Sequence, residues 1–188
     1  MRLTAYWGTN EMRILVFGNS GSGKSTYARA RANEHGEHLD LDSIVWEPAQ
    51  IGVQRPSEAI MESLGEFLAA NSAWIIEGCY GELVEAAAPQ CTELVFLNPG
   101  LDACLANNLH RPWEPQKFAS LEQQNAMLDD LQEWVRAYYT RDGPWSYETH
   151  RRVFDSHPGE KVEHGGPATE PGRPAQRDSD PSAIVKRP

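Results

Sequence analysis

The chain has 188 residues, of which 40% are hydrophobic and 23% charged, as in ordinary globular proteins with one substantial core. Its 17 basic and 27 acidic side chains give a formal net charge of −10. That balance disfavours sequence-independent binding to nucleic acid or to an anionic membrane, which needs clustered Lys and Arg. Three cysteines are an odd number, which argues against a disulfide framework.

The first predicted elements enclose a glycine-rich loop. Residues 13–17 are an apolar run typical of a buried strand, and residues 26–32 contain good helix formers. Between them, residues 18–25 read Gly-Asn-Ser-Gly-Ser-Gly-Lys-Ser and fit the phosphate-binding pattern G-x-x-x-x-G-K-[ST] at every fixed position. The free N–H groups and the dipole of a helix N-terminus favour a bound phosphate.

This loop predicts a nucleotide site that also binds Mg²⁺. We expect the catalytic Lys24 to reach the β- and γ-phosphates and Ser25 to take one position on Mg²⁺. The competing interpretation is a glycine-rich turn with an exposed lysine. The residues predicted to hold the nucleotide are Gly18, Asn19, Ser20, Gly21, Ser22, Gly23, Lys24, Ser25 and Thr26.

Further strands and helices alternate along the chain. Strands are predicted at residues 38–42, 74–76 and 94–97, with a short edge strand near 161–163. Helices are predicted at residues 58–70 (capped by Ser57), 82–88, 101–109, 120–139 (capped by Ser120) and 147–154. Residues 46–56 carry two prolines and a glycine and are predicted to be loop.

The two ends of the chain differ from this pattern. Residues 1–11 have no clear period and are interpreted as a dispensable extension, or alternatively as a short extra strand or arm. From residue 165 onward Gly, Pro, Ser, Asp and Arg predominate, which predicts a disordered tail at 165–188. Residues 12–164 are therefore the predicted domain.

The alternation of strands and helices predicts a three-layer α/β fold, a parallel sheet with helices on both faces. Ligands bind beyond the carboxyl ends of such strands. That rule brings the phosphate loop to the same edge as Asp40, Asp42, Glu77 and Asn98.

The acids at this edge suggest two roles. Glu77 ends an apolar strand and is interpreted as a second Mg²⁺ residue, or otherwise as a capping or surface glutamate. Asp42 is a candidate general base for an acceptor hydroxyl. Asp40 is a candidate for a metal-linked water, although at least one of the two aspartates is expected to cap the next segment.

Arginines suit phosphate because the planar guanidinium offers paired donors. Arg55 follows the second strand, where an acceptor would bind. Arg111, Arg136 and Arg141 are predicted to belong to a closing lid and to stabilise the transferred group, although each alone is more often a solvated surface charge. Aromatic rings that could stack on a substrate, or simply pack, are Trp46, Tyr80 and Trp113.

These residues resemble the small P-loop kinases of the adenylate kinase and shikimate kinase type. More closely, the chain is similar to the adenylate-kinase-related topology modulation proteins. The resemblance rests on residues 14–26, 39–42 with 46–48, 74–80 and 94–99. It implies five parallel strands in the order 2-3-1-4-5, a substrate-binding region at about 43–72, a lid at about 110–145 and ATP as the donor.

The combined prediction is an ATP-dependent kinase that transfers the γ-phosphoryl group to a small-molecule acceptor, with Mg²⁺ as cofactor. A hydroxyl acceptor would use Asp42 and a phosphate acceptor Arg55, and both remain open; Asp40, Gly78 and Tyr80 complete the predicted acceptor site. The alternative is a nucleotide hydrolase or a nucleotide-binding regulatory module. Because ATP and Mg²⁺ are available there, we expect a cytoplasmic protein, monomeric or homodimeric, with neither nucleic acid nor membrane as partner.

Overall fold

The computed structural model describes residues 12–48 and 50–165. The predictions for residues 1–11 and 166–188, an extension and a tail, lie outside the described residues. Gly165, predicted to open the tail, is instead the last residue of a strand. No helix in the described ranges is long and apolar enough to cross a membrane.

Five strands form one parallel sheet and two form a separate hairpin. In chain order the strands are β1 (Arg13–Gly18), β2 (Glu37–Asp40), β3 (Trp46–Glu47), β4 (Gln50–Gln54), β5 (Trp74–Gly78), β6 (Glu93–Asn98) and β7 (Glu160–Gly165). The sheet order is β2-β5-β1-β6-β7, and every neighbouring pair is parallel. Counted among the sheet strands alone this is 2-3-1-4-5, so the predicted topology is confirmed.

Eight α-helices connect and cover these strands within the described ranges. They are α1 (Lys24–His35), α2 (Asp42–Val45), α3 (Ser57–Ala70), α4 (Gly81–Ala87), α5 (Leu101–Leu109), α6 (Leu121–Ala126), α7 (Leu128–Arg136) and α8 (Tyr147–Ser156). Short 3₁₀ turns follow α4 at Ala88–Gln90 and α7 at Ala137–Tyr139.

The central strands are buried on both faces, which explains their unbroken apolar runs. On one face Leu15, Phe17 and Phe96 lie in a core completed by α2, α3, α4 and α8, and the rings of Phe17 and Phe96 stack 5.0 Å apart. On the other face Ile14 and Val16 pack against α1. Helices therefore cover both faces, as the three-layer prediction required.

The second strand is shorter than predicted. It ends at Asp40, and Asp42 is the first residue of α2 rather than the last residue of a strand. The Asp40 carboxylate accepts a hydrogen bond from the Asp42 backbone N–H at 3.0 Å, which turns the chain out of the sheet. Leu41 takes the cap position of α2 without a side-chain hydrogen bond, so the predicted aspartate cap is replaced by this turn at Asp40.

The region between β2 and α3 also differs from its prediction. Residues 46–56, predicted to be loop, contain the antiparallel hairpin β3–β4. Ser57 does not cap α3: it is the first helical residue, and Pro56 takes the cap position without a side-chain hydrogen bond. The proline ring fixes φ of Pro56, which is −55° at this position.

The predicted helix at 120–139 is divided in two. Ser120 does cap its start, accepting a hydrogen bond from the Gln123 backbone N–H at 3.1 Å. Met127 then leaves helical geometry, with φ −91° and ψ 0°, between α6 and α7. Consecutive residues of a straight helix point about 100° apart, whereas this break lets both Met127 and Leu128 line one cavity.

Candidate active site

The phosphate loop connects β1 to α1 as the motif requires. Helix α1 begins at Lys24, directly after Gly23, so its first N–H groups point into the loop. The Lys24 ammonium is 9% exposed and folds back onto the loop, donating a hydrogen bond to the Asn19 carbonyl at 2.8 Å. Lys24 is thus positioned inside the curve of the loop, where a phosphate would replace the carbonyl as its partner.

Two glycines of the loop serve different purposes. Gly21 has φ +76°, and a Cβ there would lie 2.2 Å from the Cys104 carbonyl of α5, so the loop can pack on α5 only without a side chain. Gly23 has φ +95°, and a Cβ there would meet nothing within 4 Å. The concave side of the loop at Gly23 is therefore free to receive a ligand.

Helices α5 and α7 fix the loop from outside. The Asn107 amide donates to the Gly21 carbonyl at 2.8 Å, and the Ser20 hydroxyl donates to Asn108 at 3.2 Å. The Asn19 amide donates to the Val135 carbonyl of α7 at 3.2 Å. The loop is consequently held in one shape by both the domain and the predicted lid.

The two aspartates after β2 meet a lysine that arrives from the predicted lid. Lys117 Nζ lies 3.0 Å from Asp40 Oδ2, 2.5 Å from Asp42 Oδ2 and 3.5 Å from Glu114 Oε1. Burial disfavours the charged lysine, yet the three carboxylates outweigh this and raise the pKa of Lys117 above its usual range. The group is a compact ion cluster at the carboxyl edge of the sheet.

Asp42 is ionised in this cluster. Burial alone would raise the pKa of Asp42, but the Lys117 ammonium and the Tyr80 hydroxyl, which donates to Asp42 Oδ1 at 2.5 Å, hold it below its usual range. The Trp46 indole N–H in turn donates to the Tyr80 oxygen at 2.7 Å. This chain of bonds fixes the carboxylate in position and leaves it a hydrogen-bond acceptor.

Glu77 is buried beside the loop and has an unused oxygen. It is 2% exposed, and burial, the largest cause, together with the nearby Asp40 charge raises its pKa to about 7. Glu77 Oε1 has no hydrogen-bond partner, and His38 Nε2 is 3.9 Å away from it. A hydrogen bond from Ser25 to the same carboxyl partly opposes this rise in pKa.

These features fit a Mg²⁺ ion shared with a nucleotide. Within residues 12–48 and 50–165 no three His, Cys, Asp or Glu side chains form a metal cluster. Mg²⁺ usually takes only one or two protein ligands and completes its shell with water and substrate phosphates. An unpartnered buried carboxylate next to a loop serine suits that kind of site, so Ser25 and Glu77 remain the candidates.

One cavity of about 370 Å³ joins these groups. Its polar end contains Lys24, Ser25, Glu77 and the Lys117 cluster, and Gly78 lines it too. A Cβ on Gly78 would lie 2.7 Å from Leu41, so a glycine is needed where the strand passes α2. The other end is walled by apolar side chains, namely Trp46, Phe118, Met127, Leu131, Trp134 and Trp145.

The predicted arginines are separated by the structure. Arg111 lines the cavity and lies 3.2 Å from Glu114. Arg136 is exposed and does not line the cavity. Arg141 donates to the Trp134 and Trp145 carbonyls at 2.9 Å each and stacks on the Trp134 ring, so it supports the cavity wall from behind.

The other predicted residues are also divided between the cavity and its surroundings. Arg55 lies outside the cavity, donating to the Ile44 carbonyl at 2.9 Å and to Ser63 at 3.4 Å. Thr26 is exposed on α1 and does not line the cavity. Trp113 is 47% exposed and lies outside it as well, whereas Ser20, Asp40, Asp42 and Tyr80 line it.

A buried histidine ties the lid to the sheet. His150 is fully buried and bonds the Tyr138 hydroxyl through Nδ1 at 2.7 Å and the Cys79 carbonyl through Nε2 at 3.0 Å. A carbonyl only accepts, so Nε2 carries the proton and Nδ1 accepts from Tyr138. Burial lowers the pKa of His150 to about 3. The neutral ring thereby holds α8, the turn after α7 and the end of β5 together.

Sequence reasoning missed Lys117 and most of the apolar wall. Lys117 lies in a short irregular stretch between α5 and α6, and no local motif distinguishes it from a surface lysine. Trp134 lies within a predicted helix and Trp145 between two predicted helices. Nothing in their spacing indicates that they line one cavity. Only the tertiary approach of α7 to the hairpin brings these residues together.

The sequence matches no protein-family profile and no curated protein. Among solved structures, a gluconokinase from Sinorhizobium meliloti 1021 is 17% identical, with 81% of this chain and 82% of that chain covered and a TM-score of 0.43. TT1252 from Thermus thermophilus is 14% identical, with 82% and 89% covered and a TM-score of 0.47. A shikimate kinase from Acinetobacter baumannii in complex with shikimate is 18% identical, with 76% and 91% covered and a TM-score of 0.36.

At these identities and TM-scores the likenesses do not by themselves indicate what this chain binds or does. The fold is defined by the chain's own features. A complete phosphate-binding motif joins β1 to α1, and five parallel strands follow the order implied by the resemblance to small P-loop kinases. The chain therefore has a three-layer P-loop α/β fold.

Proposed function

We propose that the protein is an ATP-dependent phosphotransferase that moves the γ-phosphoryl group of ATP to a small-molecule acceptor bound in the cavity. The observation that carries the proposal is the continuity of the cavity. A single space connects Lys24 and Ser25 of the phosphate loop to the ionised Asp42 and to an apolar chamber beyond it. A donor site and an acceptor site that share one cavity are what direct transfer requires.

At the donor end, the loop and α1 bind the phosphates of ATP. Lys24 releases the Asn19 carbonyl and donates to the β- and γ-phosphates instead. Ser25 and Glu77 are the residues that would hold Mg²⁺, and when bound this ion neutralises charge on the phosphate oxygens. Arg111, also at the cavity, is the arginine best positioned to add positive charge near the transferred group.

At the acceptor end, Asp42 orients a hydroxyl. Each of its oxygens already accepts one bond, from Tyr80 or Lys117, and keeps a lone pair for a further donor. The acceptor oxygen attacks the γ-phosphorus, the bond from that phosphorus to the bridging oxygen breaks, and ADP leaves with the electron pair. The hydroxyl proton passes to Asp42 and then to water. We further propose that the enzyme works in the cytoplasm, where ATP and Mg²⁺ are available.

A coupled ADP-release assay tests this proposal. The full chain is supplied with ATP and Mg²⁺ and with a panel of nucleosides, nucleotides, sugars and aromatic alcohols. A kinase releases ADP in proportion to the acceptor present, and Lys24→Ala removes the activity. ADP release that is independent of every acceptor indicates a hydrolase, and tight ATP binding without turnover indicates a regulatory module; either result contradicts the proposal.

A further inference from the structure

The cationic side chains at the acceptor end of the cavity are already paired with carboxylates, and this pairing limits the charge that an acceptor can carry. This inference rests on the proposed kinase function. Lys117 contacts three carboxylates, and Arg111 contacts Glu114. Arg55, the predicted clamp for a phosphate, is turned away toward Ile44 and Ser63. Apart from Lys24, which belongs to the donor site, no described cation lining the cavity lacks a carboxylate partner.

Negative groups, by contrast, surround this end of the cavity. Asp40 and Asp42 line it from the sheet edge, and Asp130 lines it from α7. An acceptor with a phosphate or carboxylate of its own would meet these carboxylates without a free cation to compensate. Such like-charge contacts weaken the binding of an anionic acceptor.

The remaining wall is largely apolar and aromatic, and its polar side chains are neutral amides. The aromatic side chains that line it are Trp46, Phe118, Trp134 and Trp145, and the amides are those of Asn108, Gln124 and Asn125. The Trp134 and Trp145 rings lie 6.2 Å apart and are held by Arg141 from behind. Rigid aromatic walls of this kind favour flat, apolar ligand bodies.

We propose that the acceptor is an uncharged hydroxyl compound with a flat ring, and that its hydroxyl bonds Asp42 while its ring lies in the aromatic chamber. The transfer is the one given above: the acceptor oxygen gains the phosphoryl group, ADP leaves, and the hydroxyl proton goes to Asp42. The phosphorylated product places a new negative charge beside Asp40 and Asp42, and the repulsion between these groups promotes its release.

Two matched pairs of probes test the acceptor class. They are cytidine with cytidine 5′-monophosphate, and 4-hydroxybenzyl alcohol with 4-hydroxybenzoate. The full chain is titrated calorimetrically with each, in the presence and absence of a non-hydrolysable ATP analogue and Mg²⁺. We expect the neutral member of at least one pair to bind about tenfold or more tightly than its anionic partner. Equal or tighter binding of both anions, or no binding of either neutral compound, overturns the proposal.

A matched pair of variants tests the charge argument. Asp130 and its neighbour Asp129 are both exposed, but only Asp130 lines the cavity. Asp130→Asn should narrow the preference for the neutral probe about threefold or more, and Asp129→Asn should leave it unchanged. An equal preference in both variants and the unaltered chain contradicts the assignment of this carboxylate to acceptor discrimination.

Product analysis separates this proposal from the proposed function. If a neutral probe binds preferentially but no phosphorylated product forms from it, the acceptor class is upheld and the kinase proposal fails. If the cytidine 5′-monophosphate or the 4-hydroxybenzoate is phosphorylated in preference to its neutral partner, the kinase proposal is upheld and the acceptor class is wrong.

Discussion

Lys117 Nζ lies 2.5 Å from Asp42 Oδ2, although the two residues are 75 positions apart in the chain. This contact joins the predicted lid to the sheet edge that carries the acceptor-site acids. It also keeps Asp42 ionised against the effect of its burial. The ionised state of Asp42 therefore depends on a residue of the predicted lid.

The first prediction concerns this pair. Lys117→Met leaves Asp40 and Asp42 close together and uncompensated, so the free energy of unfolding should fall by about 2 kcal/mol. Urea denaturation measures the change. Adding Asp42→Asn to Lys117→Met removes one unpaired charge and should recover part of the loss, giving a coupling energy of about 1 kcal/mol or more. Strict additivity of the two substitutions would show that the contact contributes nothing.

The second prediction compares two glycines of the phosphate loop. Gly23→Ala places a methyl group in open space. The free energy of unfolding should therefore fall only by the roughly 1–2 kcal/mol that a residue with a side chain loses at this positive φ. ATP binding, by contrast, should be lost. Gly21→Ala places one against the Cys104 carbonyl and should destabilise the fold more strongly. Thermal melting and ATP titration of both variants provide the test. Unimpaired ATP affinity in Gly23→Ala would mean that phosphate does not bind in the phosphate loop beside Gly23.

The third prediction distinguishes the lid arginines. Arg111→Ala should lower kcat roughly 10³-fold or more if this guanidinium stabilises the transferred group. Arg136→Ala serves as the control and should leave kcat near that of the unaltered chain, because Arg136 is exposed and does not line the cavity. Steady-state kinetics with a working acceptor decide between them, and the reverse pattern would require a lid conformation in which Arg136 enters the site.

The fourth prediction is a pH dependence of stability that arises from His150. The pKa of this ring is about 3 in the folded chain, against an ordinary 6.5. Below pH 6.5 the unfolded chain takes up a proton that the folded chain refuses, so stability falls as the pH falls, by up to about 1.4 kcal/mol per pH unit.

Urea unfolding between pH 6.5 and about 4.5 measures this slope, and His150→Gln should flatten it. The control is His110→Gln, which removes an exposed ring and should preserve the slope. An identical pH dependence in His150→Gln and the unaltered chain would assign the acid sensitivity to other groups.

Local patterns were sufficient to predict the phosphate-loop motif between a strand and a helix. The phosphate loop is a contiguous motif, and the strands beside it are apolar on both faces, so both can be recognised without tertiary contacts. Asp42 and Tyr80 were also identified, since each follows the end of a sheet strand. The predicted strand at 38–42 was too long, because the chain turns out of the sheet at Asp40, and this turn brings Asp42 beside it.

The acceptor half could not be derived in the same way. Hairpin β3–β4 is short and interrupted by Pro48, so its strands carry little periodic signal. Lys117 pairs with Asp40 and Asp42, which are distant in sequence, and with Glu114, which is three residues before it. An isolated lysine in a loop gives no sign of these partners. The break at Met127 depends on the packing of α7 against the cavity rather than on a helix-breaking residue.

The most direct test of the central claim follows the fate of the γ-phosphoryl group. ATP labelled at the γ-position is incubated with the full chain, Mg²⁺ and a neutral ring-bearing alcohol, and the labelled products are separated. We expect the label to appear in an organic phosphate in an amount equal to that of ADP. We also expect Lys24→Ala to abolish the formation of this labelled phosphate. Label found only in inorganic phosphate, at a rate that the alcohol does not change, would contradict it.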